Sequence, residues 1–319
     1  MKSETIKFSI IVPVYNRPEE IDELLSSLCH QTFDKSFEIV IVEDGSNQNC
    51  EDIIGKYAST LNIKYFLKQN TGAGLSRNFG MQHASGNYFI ILDSDVLVPE
   101  NYLHTVFSSL EKNYTDTFGG PDAAHTSFTA KQKAINYAMT SFFTTGGLRG
   151  GKNNKGDFQP RSFNMGISKD AFFKSKGYSS RKIGEDIELS VKLKELGFTS
   201  QLIHEAYVFH KRRSTFKQFY YQTFKFGFER PLLTKQFPKT TKLTYWFPSL
   251  FILGFVFSLI LLVFNFSYPI ILFFIYFLII FLHASFENKN LKIGLLTIWA
   301  TMIQFFGYGM GFLKSNFIK

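Results

Sequence analysis

The sequence predicts an α/β domain built on a mostly parallel sheet, followed by transmembrane helices. Three observations support this. Apolar, β-branched runs alternate with amphipathic helical patterns, as in a parallel sheet with helices on both faces. Acidic residues stand just after two of those runs, where open α/β sheets bind ligands. Near the C-terminus the charges disappear: residues 243–286 and 293–313 contain no Asp, Glu, Lys or Arg.

The elements follow in order. "FSIIVPVY", from Phe8, is a continuous apolar run typical of a buried parallel strand. In "NRPEEIDELLSSLCHQ", Pro18 suits a first helical turn, and Ile21, Leu24, Leu25 and Leu28 recur at helical spacing. "FEIVIVEDGS" is a second buried strand, ending at Glu43 and Asp44. A helix near 50–60 precedes the strand "IKYFLK", the Gly-rich loop "NTGAG" and a helix from Arg77 to Ala84. "NYFIILDSD" is a further strand ending in acids, and "PENYLHTVFSSLEK" is another helix.

The chain of 319 residues holds 38 Phe and a net charge of +9. A bilayer-spanning helix needs about 20 apolar residues, so the first charge-free stretch holds two spans and the second holds one. They are placed near 246–266, 268–285 and 293–313, with Tyr268-Pro269 as the turn between the first two. From Lys211 to Lys242, nine Lys or Arg stand against the single acid Glu229. That is the positive-inside pattern, and it also favours an anionic lipid surface. The basic charge is therefore assigned to membrane lipids and phosphate, with no nucleic-acid partner. "MKSETIKFSIIVPVYN" is broken by Pro13 and Asn16 and reads as a strand, not a leader. The expected arrangement is a cytosolic domain at 1–241 and a multi-pass domain at 242–319 in the cell (inner) membrane, with the first domain on the cytoplasmic side. The connector "HASFENKNLK" returns to the cytosol with Lys289 and Lys292. Three spans would leave "KSNFIK" outside, which its two lysines disfavour, so the third segment is open between a full span and a re-entrant or shallow helix. Cys29 and Cys50 lack metal-ligand spacing and read as free thiols.

Four places can carry chemistry. Asp93 and Asp95 lie two apart after a buried strand, and in an extended chain such residues face the same way. Paired carboxylates there suit a hard divalent cation bridging to diphosphate oxygens. Asp44-Gly45 is either a turn or a ligand site. "TGAGLSRNFG" places Gly72 and Gly74 before a helix bearing Arg77 and Asn78, a suitable approach for phosphate or sugar. It is neither a P-loop nor a GxGxxG fingerprint, which argues against a kinase or a dehydrogenase. In "GEDIELSVKLKELGF", Glu185 and Asp186 precede an amphipathic helix and serve either as caps or as a proton acceptor.

Together "SIIVPVYNRPEEIDELLSSL", "EIVIVEDGS", "NTGAGLSRNFGMQHASGNYFIILDSD" and "IGEDIELSVKLKELG" resemble the successive blocks of family 2 glycosyltransferases, over about residues 7–230. The resemblance implies the GT-A fold, a Rossmann-like, mostly parallel sheet. It also implies sugar transfer from a nucleotide-sugar donor (UDP-, GDP- or dTDP-linked) to an acceptor hydroxyl, with inversion. Pro13, Tyr15 and Asp44 would line the base and ribose pocket, with Glu43 beside them; Gly72, Arg77 and Ser94 would also face the donor. Asp93 and Asp95 would hold Mg²⁺ or Mn²⁺ across the diphosphate, with His210 reaching the same metal. Asp186 would be the general base, with Glu185 in support. Asn164 and Met165, in "FNMGISKDAF", would line the acceptor side, and Lys211, Arg212 and Arg213 would touch diphosphate or lipid headgroups or stay solvated.

The chain departs from the processive synthases of that family. Gln222 and Arg230 are too far apart for their Gln-x-x-Arg-Trp motif, and no Trp follows. That favours single addition to a lipid-linked or cell-surface glycan over a polysaccharide synthase. A non-catalytic nucleotide-sugar-binding scaffold is disfavoured by the presence of Asp93, Asp95 and Asp186 together. Residues 124–151, ending in "TTGGLRGG", are either a mobile acceptor loop or a surface insertion.

Overall fold

In the computed structural model, residues 5–146, 159–181 and 183–317 are described. The chain begins β1 (Phe8–Val14), α1 (Pro18–Cys29), β2 (Glu38–Asp44), α2 (Glu51–Tyr57), β3 (Ile63–Lys68), α3 (Ala73–His83) and β4 (Tyr88–Leu92). Next come β5 (Val96–Leu97), α4 (Tyr102–Lys112), β6 (Thr117–Gly119), β7 (Asp122–Ala123), α5 (Ala130–Thr140) and α6 (Phe142–Thr145). Beyond 159 lie β8 (Asn164–Ser168), α7 (Lys169–Ser175), α8 (Glu185–Glu195), β9 (Ser200–Leu202) and β10 (Val208–His210). The last helices are α9 (Phe216–Gln236), α10 (Phe247–Val263), α11 (Tyr268–Asn288) and α12 (Leu291–Phe317). These residues divide into two compact units: Met1–Ala123 with Lys152–His210, and Ala124–Gly151 with Lys211–Lys319.

The first unit is built on a seven-stranded sheet of order β3-β2-β1-β4-β8-β6-β9. Pairings β3-β2, β2-β1, β1-β4 and β6-β9 are parallel, and β8 runs antiparallel to both of its neighbours. Alternate residues of each central strand feed opposite faces. Ile10, Val12, Ile39, Ile41, Ile90 and Leu92 pack with α1 and α4. Ile11, Val40, Val42, Phe89 and Ile91 pack instead against Met81, Phe172, Leu189 and Leu193 of α3, α7 and α8. This two-sided burial is why the strands read as unbroken apolar runs. In α1, Pro18 opens the helix and Ile21, Leu24, Leu25 and Leu28 form its buried face, each contributing about 1.5–3 kcal/mol. A smaller sheet, β5-β10-β7, completes the unit.

In the second unit Leu243–Val263, Tyr268–Asn288 and Leu291–Phe317 are helical stretches long and apolar enough to cross a membrane. The expected turn at Tyr268-Pro269 is corrected: both residues open α11, and the turn spans residues 264–267. Proline fits there because the first helical turn needs no amide hydrogen from it. α11 also runs on to Asn288, so the connector to α12 shrinks to Lys289 and Asn290. α9 starts under a Thr215 cap whose side chain accepts from the Gln218 amide, and it packs closely on α12. A Cβ at Gly227 would sit 2.0 Å from the Tyr308 carbonyl oxygen, and one at Gly307 2.1 Å from Thr223 Oγ1. Small residues let the two backbones approach. Residues 147–151 of the expected acceptor loop lie outside the described residues.

Candidate active site

Strand order decides where the acids meet. β2 and β3 lie on one side of β1 and β4 on the other, so a crevice opens past the C-terminal ends of β1 and β4. Asp93, Ser94 and Asp95 follow β4 directly. Residues 94–95 form a turn, not the extended segment expected, before β5 starts at Val96. The two carboxylates converge all the same. β10 pairs antiparallel with β5, opposing His210 to Val96, and this brings the His210 ring to Asp95. Its Nε2 lies 3.2 Å from Asp95 Oδ1, and the ring stacks on Phe163 with centroids 5.0 Å apart. Donor atoms of Asp93, Asp95 and His210 all lie within 4.8 Å of one another.

Two arginines tie this cluster to the rest of the crevice. Arg17, in the loop after β1, ion-pairs with Asp95. Burial works against the Asp95 charge, but His210 and Arg17 outweigh it and hold that carboxyl far below the ordinary range. Arg77, on α3, is 3% exposed and bridges two acids. Its Nη2 donates to Asp93 at 2.7 Å and its Nη1 to Glu185 at 3.0 Å. Burial disfavours the guanidinium, yet Asp93 and Glu185 keep it firmly protonated. One buried cation therefore joins the end of β4 to the start of α8.

At that start neither acid is the cap. Gly184, with φ of 80°, holds the N-cap position, and Glu185 and Asp186 are the first two helical residues. Acids there complement the positive end of the helix. Burial raises the Glu185 carboxyl above its ordinary value; Arg77 opposes this and the Asp186 charge adds to it. Asp186 accepts from its neighbour's amide, Ile187, at 2.8 Å and from Arg161 Nη1 at 3.3 Å.

The other expected residues divide. Tyr15 is half-exposed just past β1, and Ser94 is buried between the two aspartates. Pro13 is buried in β1 beside Val42 of β2. Asp44 is buried, and its carboxylate takes Lys68 Nζ and the amides of Thr71 and Gly72, each amide at 2.9 Å. Gly72 caps α3 at φ 95°, a conformation open to glycine. Its amide serves Asp44, so it stabilises the loop rather than pointing at open space. Glu43 is held by Ser46, the Cys50 amide and Tyr65, a structural set of partners. Asn164 and Met165 require correction, because both side chains are fully buried. Asn164 bonds Tyr102 Oη at 2.6 Å and the Ala206 carbonyl at 2.8 Å, and Met165 is in the core. β8 lies inside the sheet with helices on both faces, so neither side chain reaches an acceptor. Sequence reasoning missed Arg17, Arg161 and Lys68. Only Arg17 had a signal, its place in the loop after the first parallel strand.

Sheet order, strand-end acids and the helix at Glu185 define an α/β protein of the GT-A type. Solved structures share that fold. S. aureus TarS (1-349) with UDP aligns at a TM-score of 0.51 and 23% identity, covering 70% of this chain and 64% of that one. The mannosyltransferase PcManGT of Pyrobaculum calidifontis, in complex with GDP-Man and Mn²⁺, aligns at 0.53 and 15%, covering 72% and 65%. Among curated proteins, the poly(ribitol-phosphate) β-N-acetylglucosaminyltransferase TarS of S. aureus (strain Mu50) is 37% identical over 114 residues, 35% of this chain and 20% of TarS. The minor teichoic acid biosynthesis protein GgaB of Bacillus subtilis is 29% identical over 193 residues, 59% of this chain and 21% of GgaB. The chain thus spans about a fifth of the length of these relatives. Residues 9–173, just over half of the chain, match glycosyl transferase family 2, and the chain belongs to that family.

Proposed function

We propose that this chain is a membrane-anchored, inverting glycosyltransferase that moves a sugar from a nucleotide-sugar donor to a hydroxyl of a lipid-linked or cell-surface glycan. One observation carries the reading: buried Arg77 joins Asp93 to Glu185, so the strand-end acids and the helix acids belong to a single site. The neighbours in complex with UDP or with GDP-Man and Mn²⁺, and relatives named for poly(ribitol-phosphate) and for minor teichoic acid biosynthesis, support the donor class and a cell-envelope acceptor.

Asp93, Asp95 and His210 offer oxygen and nitrogen donors close enough together for one Mg²⁺ or Mn²⁺, whose ligands sit about 2.1 Å from the ion. Such an ion would neutralise the diphosphate as it departs. Arg17 must share or release Asp95 for that ion to bind, which makes Arg17 a second cation beside the same phosphates. Arg77 fixes Asp93 on one side and Glu185 on the other. Asp186 accepts the proton of the attacking hydroxyl while Arg161 orients its carboxylate. The acceptor oxygen bonds the anomeric carbon as the bond to the diphosphate oxygen breaks, and the electron pair leaves with the nucleoside diphosphate. This single displacement inverts the centre. Residues 1–241 face the cytoplasm, where nucleotide-sugars are made, and 242–319 form the membrane domain.

A thermal-shift screen of UDP-, GDP- and dTDP-sugars with Mn²⁺ tests this, because a bound donor raises stability by mass action. At least one donor is expected to shift the purified 319-residue chain and to be consumed when membrane extract supplies acceptor. If no donor shifted the protein and none was consumed, the proposal would fall.

A further inference from the structure

The three apolar helices of the second unit do not run side by side. α10 and α11 form a hairpin: Phe251 meets Phe273, Tyr276 and Phe277, and Phe255 meets Phe273. The first residues of α12 touch the last residues of α11, with Gly294 against Phe281 and Ser285. A third span antiparallel to α11 would then carry Gly309, fifteen residues on, about 22 Å toward the 264–267 turn. Gly309 instead meets Pro248 and Ile252 near the start of α10, and Ser249 Oγ donates to its carbonyl at 3.2 Å. Phe305 packs on Phe247 and Phe251, and Phe312 on Trp246. Phe281 and Ser285 lie about 20–26 Å from the turn along α11, and Trp246–Ile252 about 17–26 Å along α10. Gly294 near one end of α12 and Gly309 and Phe312 near the other therefore touch the hairpin at similar depths, with Phe306 reaching Phe255 about 12 Å from the turn, and α12 crosses obliquely over the end where α10 begins.

Its other neighbours agree. Ile293 and Ala300 pack with Ala134, Ile135 and Ala138 of α5 and with Phe219 of α9, while Gly307 and Gly311 lie against Thr223 and Phe224 of α9. α5 and α9 sheathe both halves of α12 and carry the exposed lysines Lys131, Lys217, Lys225 and Lys235. Helices with exposed charges do not sit in hydrocarbon. The large apolar residues that α12 leaves exposed, Leu291, Leu295, Trp299, Met310 and Phe317, form one stripe at helical spacing, with the exposed polar residues Lys292, Lys314 and Asn316 confined to its two ends.

The geometry points to α12 as an interfacial helix, lying in the plane of the bilayer with that stripe in the acyl–headgroup boundary, and to a two-span anchor of α10 and α11 alone. The C-terminal end then returns to the face from which α10 enters, and Lys314 joins Lys211–Lys242 on one side of the membrane, as the positive-inside pattern requires. The inference rests on the membrane reading above and is independent of the reaction.

Single cysteines in a Cys29→Ser, Cys50→Ala background, labelled by an impermeant maleimide in spheroplasts before and after permeabilisation, test it. Lys314→Cys and Lys239→Cys are expected to label only after permeabilisation, and Phe264→Cys before it. Labelling of Lys314→Cys together with Phe264→Cys, away from Lys239→Cys, would overturn the inference, as would all three labelling on one side. Ser36→Cys reports the side of the proposed catalytic unit; its labelling beside Phe264→Cys would overturn the cytoplasmic orientation but not the in-plane helix. A second readout needs no cysteines. With Trp246→Phe, leaving Trp299 alone, brominated lipids in proteoliposomes are expected to quench most when the bromines sit near the headgroup. Strongest quenching by bromines at the chain ends would place Trp299, about 12 Å along α12, deep in a span and sink the idea.

Discussion

Arg77 is the residue on which the site's coherence depends. It is buried, and removing it leaves Asp93 and Glu185 with charges no longer compensated; breaking such a buried pair costs about 3–5 kcal/mol. Arg77→Met is expected to lower the thermal midpoint of the detergent-purified protein and to abolish donor consumption. Arg77→Lys is expected to recover part of the midpoint and little activity, since an ammonium is a point charge without the planar fork that reaches two acids. Wild-type turnover by Arg77→Lys would refute the bridging role. Glu38 makes a different residue-scale case, one of stability alone. It is buried at the start of β2, accepting from Ser85 Oγ at 2.7 Å and pairing with Lys64 at 2.8 Å. Burial opposes its charge, but Lys64, Ser9 and Ser85 prevail and bring the carboxyl down to about 2. A depressed carboxyl stabilises the fold above its unfolded value, near 4.5, and that stability is lost as pH falls through about 2. Glu38→Gln is expected to cost on the order of 3 kcal/mol at pH 7 and much less at pH 3. Thermal midpoints at the two pH values check this, and an equal loss at both would contradict it.

At the scale of elements, strand ends gather the acids and short ladders finish the site. The β1-to-β4 core was legible because residues buried on two faces leave long apolar runs, and Glu43, Asp44, Asp93 and Asp95 mark where those runs stop. The partnership of β10 with β5 was not legible. Three residues pairing with two, more than a hundred positions away, leave no periodic signal, so His210 could be reached only through a resemblance. Asn164 and Met165 erred for a related reason: a motif fixes a position along the chain but not the face a side chain takes once β8 is inserted antiparallel. The 268–269 turn failed because Pro marks a helix start as readily as a chain reversal. Packing of α9 on α12 gives the element-scale test. Gly227→Ala puts a methyl about where the Tyr308 backbone already stands, and it is expected to destabilise the second unit by a few kcal/mol, within the usual overpacking range of ~1–3. At Gly254 the same change meets only Phe273 Cζ at 3.7 Å and is expected to be near neutral. Equal midpoints for the two variants would contradict the packing described.

At the scale of the whole molecule, composition was the most legible level. Loss of charge after Lys242 marked the segment whose three helical stretches are long and apolar enough to cross a membrane, and the contacts of α12 support the proposal of a hairpin with a helix across its base. Metal, donor and base are proposed to work as one machine, and the base is the part that can be removed without disturbing the rest. Donor affinity and single-turnover transfer, measured side by side on the unsubstituted chain and on Asp186→Asn with the donor selected by thermal shift, test this most directly. The expected result is unchanged donor affinity with transfer reduced by about 10²–10⁴-fold; transfer by Asp186→Asn at the wild-type rate would contradict the account.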